Sequence, residues 1–74
     1  MIILQVYLIA GRTVEQKERL VEALTKAAAA SLGLEYMAVQ IVIKDLPNTD
    51  FGLAGKTAKS LGRGIGRAEM LDNR

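Results

Sequence analysis

The sequence predicts an α/β fold, a small βαβ unit in which one helix joins two parallel strands. Two apolar segments with the composition of strands, residues 2–9 and 38–44, flank one amphipathic stretch over residues 13–32. A helical connection between two strands of one sheet makes those strands parallel, with a right-handed crossover. The order of these three segments therefore determines the fold class.

The first strand, Ile2 to Ile9, is almost continuously apolar and rich in β-branched residues. This composition predicts a strand that is covered on both faces. We therefore expect the Met1 amine to be buried or nearly so. Because a terminal amine titrates close to neutral pH, a buried one is a candidate general base, although a simple core strand explains the same pattern.

The helix has clear boundary signals. Thr13 and Gln16 fit a capping box at its start, and Gly33 fits a C-terminal cap. Helical spacing predicts that one face packs inward, with the residues Leu20, Val21, Leu24, Ala27, Ala28 and Ser31.

The second strand should place Val39, Ile41 and Ile43 on one face. Pro47 and Asn48 then predict a loop over residues 45–50, in which Asp45 and Asp50 would cap the turn. Residues 51–60 fit a short hairpin or an irregular arm.

The sequence predicts one domain over residues 1–60 and a glycine-spaced polar tail over residues 61–74. We expect this tail to be partly disordered, or ordered only against another subunit. Its segment Leu61 to Gly66 has glycines at the wrong spacing for a phosphate loop, and no helix is expected after it. The basic residues of this region lack interleaved aromatic residues, which argues against nucleic-acid binding; they are Lys56, Lys59, Arg63 and Arg67.

Composition narrows the class of protein further. The 74 residues include no cysteine and no histidine, which removes thiolate and imidazole metal ligands, and half of them are hydrophobic. A chain this short cannot bury that much aliphatic surface alone, so we expect an oligomer. No segment is long enough for a membrane span and no signal-peptide pattern is present, which favours the cytoplasm. The net charge of +2 suits a small anionic ligand.

Arg12 is the strongest candidate binding residue. It lies between a buried strand and a helix start, where its planar guanidinium could bind a carboxylate. An ordinary surface ion pair is an equally good explanation of the spacing alone.

Several pieces, taken in order, resemble the 4-oxalocrotonate tautomerase family. They are Gln5 in the first strand, Gly11-Arg12, the helix start Glu15-Gln16-Lys17-Glu18, Val39-x-Ile41-x-Ile43, and Phe51-Gly52-Leu53-Ala54-Gly55. The resemblance covers the chain to about Ser60. It implies a βαβ unit with a short C-terminal hairpin, assembled as a hexamer.

The resemblance also implies a chemistry. The family shifts a proton along a small anionic unsaturated keto or enol acid, without a metal or an organic cofactor, and its general base is an amino-terminal proline. Arg12 matches a substrate-binding arginine and Phe51 an aromatic wall of the site. Ile2, however, stands at the position of the proline, and Gln40 stands where a second arginine usually projects. With Met1 retained, the terminal amine would be primary and displaced by up to ~3.8 Å.

Three functions fit these observations. The chain could be the non-catalytic subunit of a hetero-oligomeric tautomerase whose partner supplies the proline. It could form a homo-oligomer with degenerate or altered tautomerase activity that uses the Met1 amine. It could also be a purely structural or anion-binding oligomer. We favour the first.

Overall fold

The computed structural model describes residues 1–72, with side chains described up to residue 69. A short 3₁₀ turn over Tyr36–Ala38 precedes the second strand. The remaining elements, in chain order, are β1 (Ile2–Ile9), α1 (Val14–Leu32), β2 (Val39–Leu46), β3 (Gly52–Leu53), β4 (Lys56–Thr57) and α2 (Arg67–Asp72).

The central sheet confirms the predicted βαβ unit. β1 and β2 pair in parallel, in a register that runs from Ile2 opposite Val39 to Ile9 opposite Leu46. β2 extends two residues beyond the predicted end, so that Asp45 belongs to the strand and not to the following loop. The predicted hairpin is also present as the antiparallel pair of β3 and β4. Ala54 and Gly55 have positive φ at its turn, as a tight hairpin turn requires.

The boundaries of α1 are those the sequence predicts. The Thr13 side chain accepts a hydrogen bond from the Gln16 N–H, and the Gln16 side chain accepts one from the Thr13 N–H. Gly33 ends the helix in the left-handed conformation. Leu20, Leu24 and Ala28 pack inward as predicted. Val21, Ala27 and Ser31 are exposed instead, because the sheet beneath the helix has only two strands and covers a narrow stripe of it.

One face of the sheet is open, which corrects two predictions. Along β1 the half-buried residues alternate with exposed ones, and Ile3 and Tyr7 are 61% and 58% exposed. The prediction of a strand covered on both faces was therefore wrong for the single chain. Met1 is 78% exposed, so the predicted burial of its amine was also wrong. Both corrections have one cause: α1 covers one face of the sheet, and no other element in residues 1–72 covers the second.

The core of the chain is small. The buried apolar residues are Ala10, Ala29, Val39 and Ala58, and none of the large side chains described is fully buried. None of the helices in residues 1–72 is long and apolar enough to span a membrane.

The segment after residue 60 corrects a further prediction. Residues 63–66, which we call the C-terminal strap, lie against the ends of β1 and β2 of the same chain. The Ile65 N–H donates to the Ala10 carbonyl over 2.8 Å, and the Asn48 N–H donates to the Ile65 carbonyl over 2.9 Å. We expected residues 61–74 to be partly disordered, or ordered only against another subunit, whereas residues 63–66 are ordered against their own chain. The expectation that no helix follows Gly66 was also wrong, because α2 begins at Arg67. The end of the predicted tail, residues 73–74, lies outside the described residues.

Candidate functional site

Arg12 lies where the carboxyl end of β1 meets the start of α1. Gly11 makes the turn with φ of +134°, and the capping box at Thr13 fixes the direction in which the helix leaves. Because the parallel strands end at this edge, it is where open α/β sheets commonly bind ligands. The local sequence therefore holds Arg12 at a rigid junction, although its side chain is exposed.

Two concavities meet at Arg12. The first has a volume of about 240 Å³ and is lined by Ile9, Ala10, Gly11, Arg12 and Gly64. The second, of about 290 Å³, is lined by Leu8, Arg12, Gln16 and Leu20. The first combines a cationic side chain with main-chain groups, and the second is mainly apolar. The arrangement suits a small acid whose carboxylate binds the guanidinium while its carbon chain lies on an apolar surface.

No carboxylate of residues 1–69 lies within ion-pair distance of Arg12. The nearby acidic residue of β2, Asp45, pairs instead with Lys17 of α1, which corrects the prediction that Asp45 caps a turn. Asp50, the other predicted turn residue, accepts a hydrogen bond from the Arg67 side chain over 2.9 Å. Within residues 1–69, therefore, no carboxylate neutralises the positive charge of Arg12.

The other predicted site residues of β1 and β2 lie at the opposite edge of the sheet. Gln40 pairs with Ile3 near the strand starts, one residue from Ile2, and its side chain is exposed. The seven residue steps from Ile2 to Ile9 span about 23 Å at ~3.3 Å per residue. Met1, Ile2 and Gln40 are thus brought together with one another and are separated from Arg12 by the length of the sheet.

Phe51 lies in the connection that leads from β2 into the hairpin. It is half-buried, and its carbonyl accepts a hydrogen bond from the Ala58 N–H over 2.9 Å. It leaves the sheet from the same edge as Arg12, but it does not line either concavity at Arg12. A single chain therefore does not place this aromatic ring over the Arg12 site.

Sequence reasoning missed two residues of this edge, Asn48 and Gly64. Asn48 was interpreted only as a turn former, yet it is 8% exposed and its side-chain amide donates to the carbonyls of Arg63 and Gly64. Gly64 belongs to the predicted tail but lines the first concavity together with Arg12. The Asn48 hydrogen bonds join residues 15 and 16 positions apart, and Gly64 lies 52 positions from Arg12, so no local pattern indicates either relation. In the part of the chain that is described, no three metal-ligating side chains lie together.

Comparison with known proteins identifies the family. Residues 3–60 match the sequence family described as tautomerase enzyme. A 2-hydroxymuconate tautomerase from Comamonas testosteroni is 39% identical over 59 residues, which cover 80% of this chain and 94% of that protein.

Two solved structures share the fold. One belongs to the 4-oxalocrotonate tautomerase isozymes of Methylibium petroleiphilum, with 40% identity, a TM-score of 0.82, and coverage of 84% of this chain and 100% of the other. The other is a heterohexamer 4-oxalocrotonate tautomerase from Chloroflexus aurantiacus J-10-fl, with 33% identity, a TM-score of 0.79, and coverage of 82% and 98%. With its βαβ unit, its hairpin and a match over residues 3–60, the chain belongs to the tautomerase family.

Proposed function

We propose that this chain is the subunit of a hetero-oligomeric keto–enol tautomerase that contributes Arg12 but not the catalytic base. The base would be the amino-terminal proline of a homologous partner chain. The substrate would be a small anionic unsaturated keto or enol acid. The observation that carries this proposal is the separation of Arg12 from the strand starts by the length of the sheet, about 23 Å at ~3.3 Å per residue. A small acid cannot bridge that distance, so a complete site needs residues from more than one chain.

The residues at the strand starts support the assignment of the base to a partner. Ile2 and Gln40 occupy the positions where the family resemblance implies a proline and a second arginine. The one proline of the sequence, Pro47, is buried in the connection after β2 and cannot act as a terminal amine. Gln40 can donate a hydrogen bond to a developing enolate but adds no charge, so its stabilisation of that enolate would be weaker than that of an arginine.

The large accessible surface of the chain supports the proposal that it forms an oligomer. Its accessible area is 5537 Å², whereas a compact monomer of its mass of 8.0 kDa is expected to expose about 4,450 Å². The open sheet face contributes to the excess through Ile3, Tyr7 and Val42. Large apolar side chains that are exposed together on one face of a sheet suit a protein interface. We therefore expect a hexamer of the kind described for the related heterohexamer tautomerase.

The roles in the proposed reaction follow from the residues present. The partner's amine would take the proton of the substrate's enol hydroxyl and return it to a carbon of the conjugated system, so that the O–H bond is broken, a C–H bond forms and the enol becomes the ketone. Arg12 would bind a carboxylate of the substrate and hold it in line with that amine. Phe51, which does not reach the Arg12 site of its own chain, would cover a site completed by a neighbouring chain.

The test compares this chain alone with a mixed assembly. The chain is purified by itself and after co-expression with a homologous tautomerase chain that begins Met-Pro, and the oligomeric state is measured by sedimentation. Turnover of 2-hydroxymuconate is then measured for both samples. We expect a mixed hexamer that is active and a single-chain sample that has little or no activity.

Arg12→Ala in the mixed assembly should lower kcat/KM by about 10- to 150-fold, which corresponds to the ~1.5–3 kcal/mol of a charged hydrogen bond. Arg19→Ala is the matched control, because Arg19 is an exposed arginine of α1 that lines neither concavity at Arg12. Efficient turnover by the single chain would instead make the chain a complete enzyme. Unchanged activity of the Arg12→Ala assembly would remove Arg12 from the site.

A further inference from the structure

We propose that the C-terminal strap is the specificity element of the Arg12 site, and that it admits beside Arg12 only a carboxylate whose neighbouring carbon is unbranched, which in 2-hydroxymuconate is the carboxylate remote from the hydroxyl. This inference rests on the proposed function of Arg12. The strap lies beyond residues 3–60, which match the tautomerase family, so it is an addition to the shared fold. Its Gly64 lines the 240 Å³ concavity together with Arg12.

The strap is held in place at each of its first three residues. The Arg63 N–H donates to the Ala58 carbonyl over 2.8 Å, and Ala58 is fully buried. The Ile65 N–H and carbonyl bond to Ala10 and Asn48, as described above. The Asn48 side-chain amide adds hydrogen bonds of 3.1 and 3.3 Å to the Arg63 and Gly64 carbonyls. The part of the concavity that the strap forms is therefore main chain fixed by hydrogen bonds, and it cannot turn aside as an exposed side chain can.

The strap also approaches the end of β1 more closely than any residue with a side chain allows. A Cβ built on Gly64 would lie 2.2 Å from the Ile9 Cγ2 atom and 2.9 Å from the Ala10 carbonyl oxygen. Gly64 additionally has φ of +66°, a conformation that favours glycine. Because glycine has no Cβ, the main chain of the strap can lie this close to Ile9 and Ala10 at the end of β1.

A concavity that is lined by an arginine and by a main-chain segment fixed by hydrogen bonds can select acids by shape. The flat carboxylate end of an unbranched acid can enter beside Arg12. A methyl group on the carbon next to the carboxylate would contact the Gly64 main chain. The hydrogen bonds of the strap would oppose displacement of that main chain. Pockets that reject one extra methyl group commonly discriminate by about 10- to 200-fold.

The test measures discrimination between two acids. The mixed assembly is titrated by calorimetry with trans,trans-muconate and with 2,5-dimethylmuconate, whose methyl groups flank both carboxylates. We expect the assembly to bind muconate at least about tenfold more tightly. Gly64→Ala should displace the strap and reduce that ratio of Kd values about tenfold. Hydrogen exchange should show lost protection of the Ile65 amide in the same variant.

Gly62→Ala is the matched control. Gly62 has a similar φ of +74°, but a Cβ built on it meets nothing within 4 Å. This variant should keep both the ratio and the protection of Ile65. Asn48→Ala removes the two side-chain hydrogen bonds to the strap. If Gly64→Ala does not fold, the ratio of the two Kd values is measured for Asn48→Ala instead, and a reduced ratio again supports the inference.

Three outcomes would overturn the inference. An unchanged ratio in a variant whose Ile65 amide has lost protection would show that the strap does not select. Retained protection in Gly64→Ala would show that the close approach does not fix the strap. Equal binding of the two acids by the unaltered assembly would show that no selection exists. Arg12→Ala separates these failures from that of the proposed function: if it leaves muconate binding unchanged, Arg12 does not bind the acid at all.

Discussion

The ion pair between Lys17 of α1 and Asp45 of β2 should contribute measurably to stability. The Lys17 Nζ atom contacts the Asp45 Oδ2 atom, and the two side chains are only 29% and 24% exposed. The other carboxylate oxygen of Asp45, Oδ1, is buried and has no hydrogen-bond partner among the described residues. Lys17→Met keeps the length of the side chain and removes its charge. It would leave Asp45 as a largely buried carboxylate without a donor on either oxygen.

The magnitude lies between two limits. Exposed ion pairs contribute about 0–1 kcal/mol, whereas breaking a fully buried pair costs about 3–5 kcal/mol. With about a quarter of each side chain exposed, Lys17→Met should lower the free energy of unfolding by about 2 kcal/mol. Lys17→Met combined with Asp45→Val should recover most of the loss, because removing both charges removes the unpaired carboxylate as well.

Urea denaturation at one fixed protein concentration measures both effects. For a small domain with a slope of about 1–2 kcal/mol/M, the single variant should lower the midpoint by about 1–2 M. Arg67→Met is the matched control, because its pair with Asp50 is 71% and 40% exposed and should contribute less than about 1 kcal/mol. A double variant as unstable as Lys17→Met would show that packing, and not the stranded charge, causes the loss. An unchanged midpoint in Lys17→Met would refute the reasoning altogether.

Two further predictions concern the helix start and the strand start. Thr13→Ala removes the side-chain acceptor of the capping box and should lower the free energy of unfolding by about 1 kcal/mol in the same urea experiment. Thr49→Ala is the control, because Thr49 lies in an exposed loop, and it should lower that free energy by less than half as much. Ile2→Pro with Gln40→Arg should give the single chain measurable turnover of 2-hydroxymuconate, greater than that of either single variant, once mass spectrometry confirms loss of Met1. A processed, folded and oligomeric double variant that stays inert would show that the site has diverged beyond these two positions.

The sequence predicts those parts of the fold that depend on neighbouring residues. The capping box joins Thr13 to a residue three positions away, and Gly33 acts through its own backbone conformation. The alternation of Val39, Ile41 and Ile43 is likewise a local pattern, and the structure shows these side chains on the covered face. Such features can be recognised in a short segment because their physical cause lies within it.

What the sequence could not predict depends on contacts between distant segments. Lys17 and Asp45 lie 28 residues apart, and each has an ordinary surface role when considered alone. Asn48 holds the strap through residues 15 and 16 positions further along. The apolar composition of β1 predicts a strand that is buried on both faces. Composition does not show, however, whether the residues that cover the second face belong to the same chain. The candidate site is divided in the same way: Arg12 could be recognised, but its separation from Met1 and Gln40 required the register of the sheet.

The small core has a consequence for how the chain must be kept folded. In the described part of the chain the buried apolar residues besides Pro47 are three alanines and a valine, so the larger aliphatic side chains would need other chains to become fully buried. Stability then follows mass action: dilution favours unfolding, and the melting temperature rises with protein concentration. A subunit synthesised in excess of its partners would face water with Ile3, Tyr7 and Val42 uncovered. Matched synthesis of the subunits would therefore protect each of them from proteolysis and aggregation as much as it completes their sites.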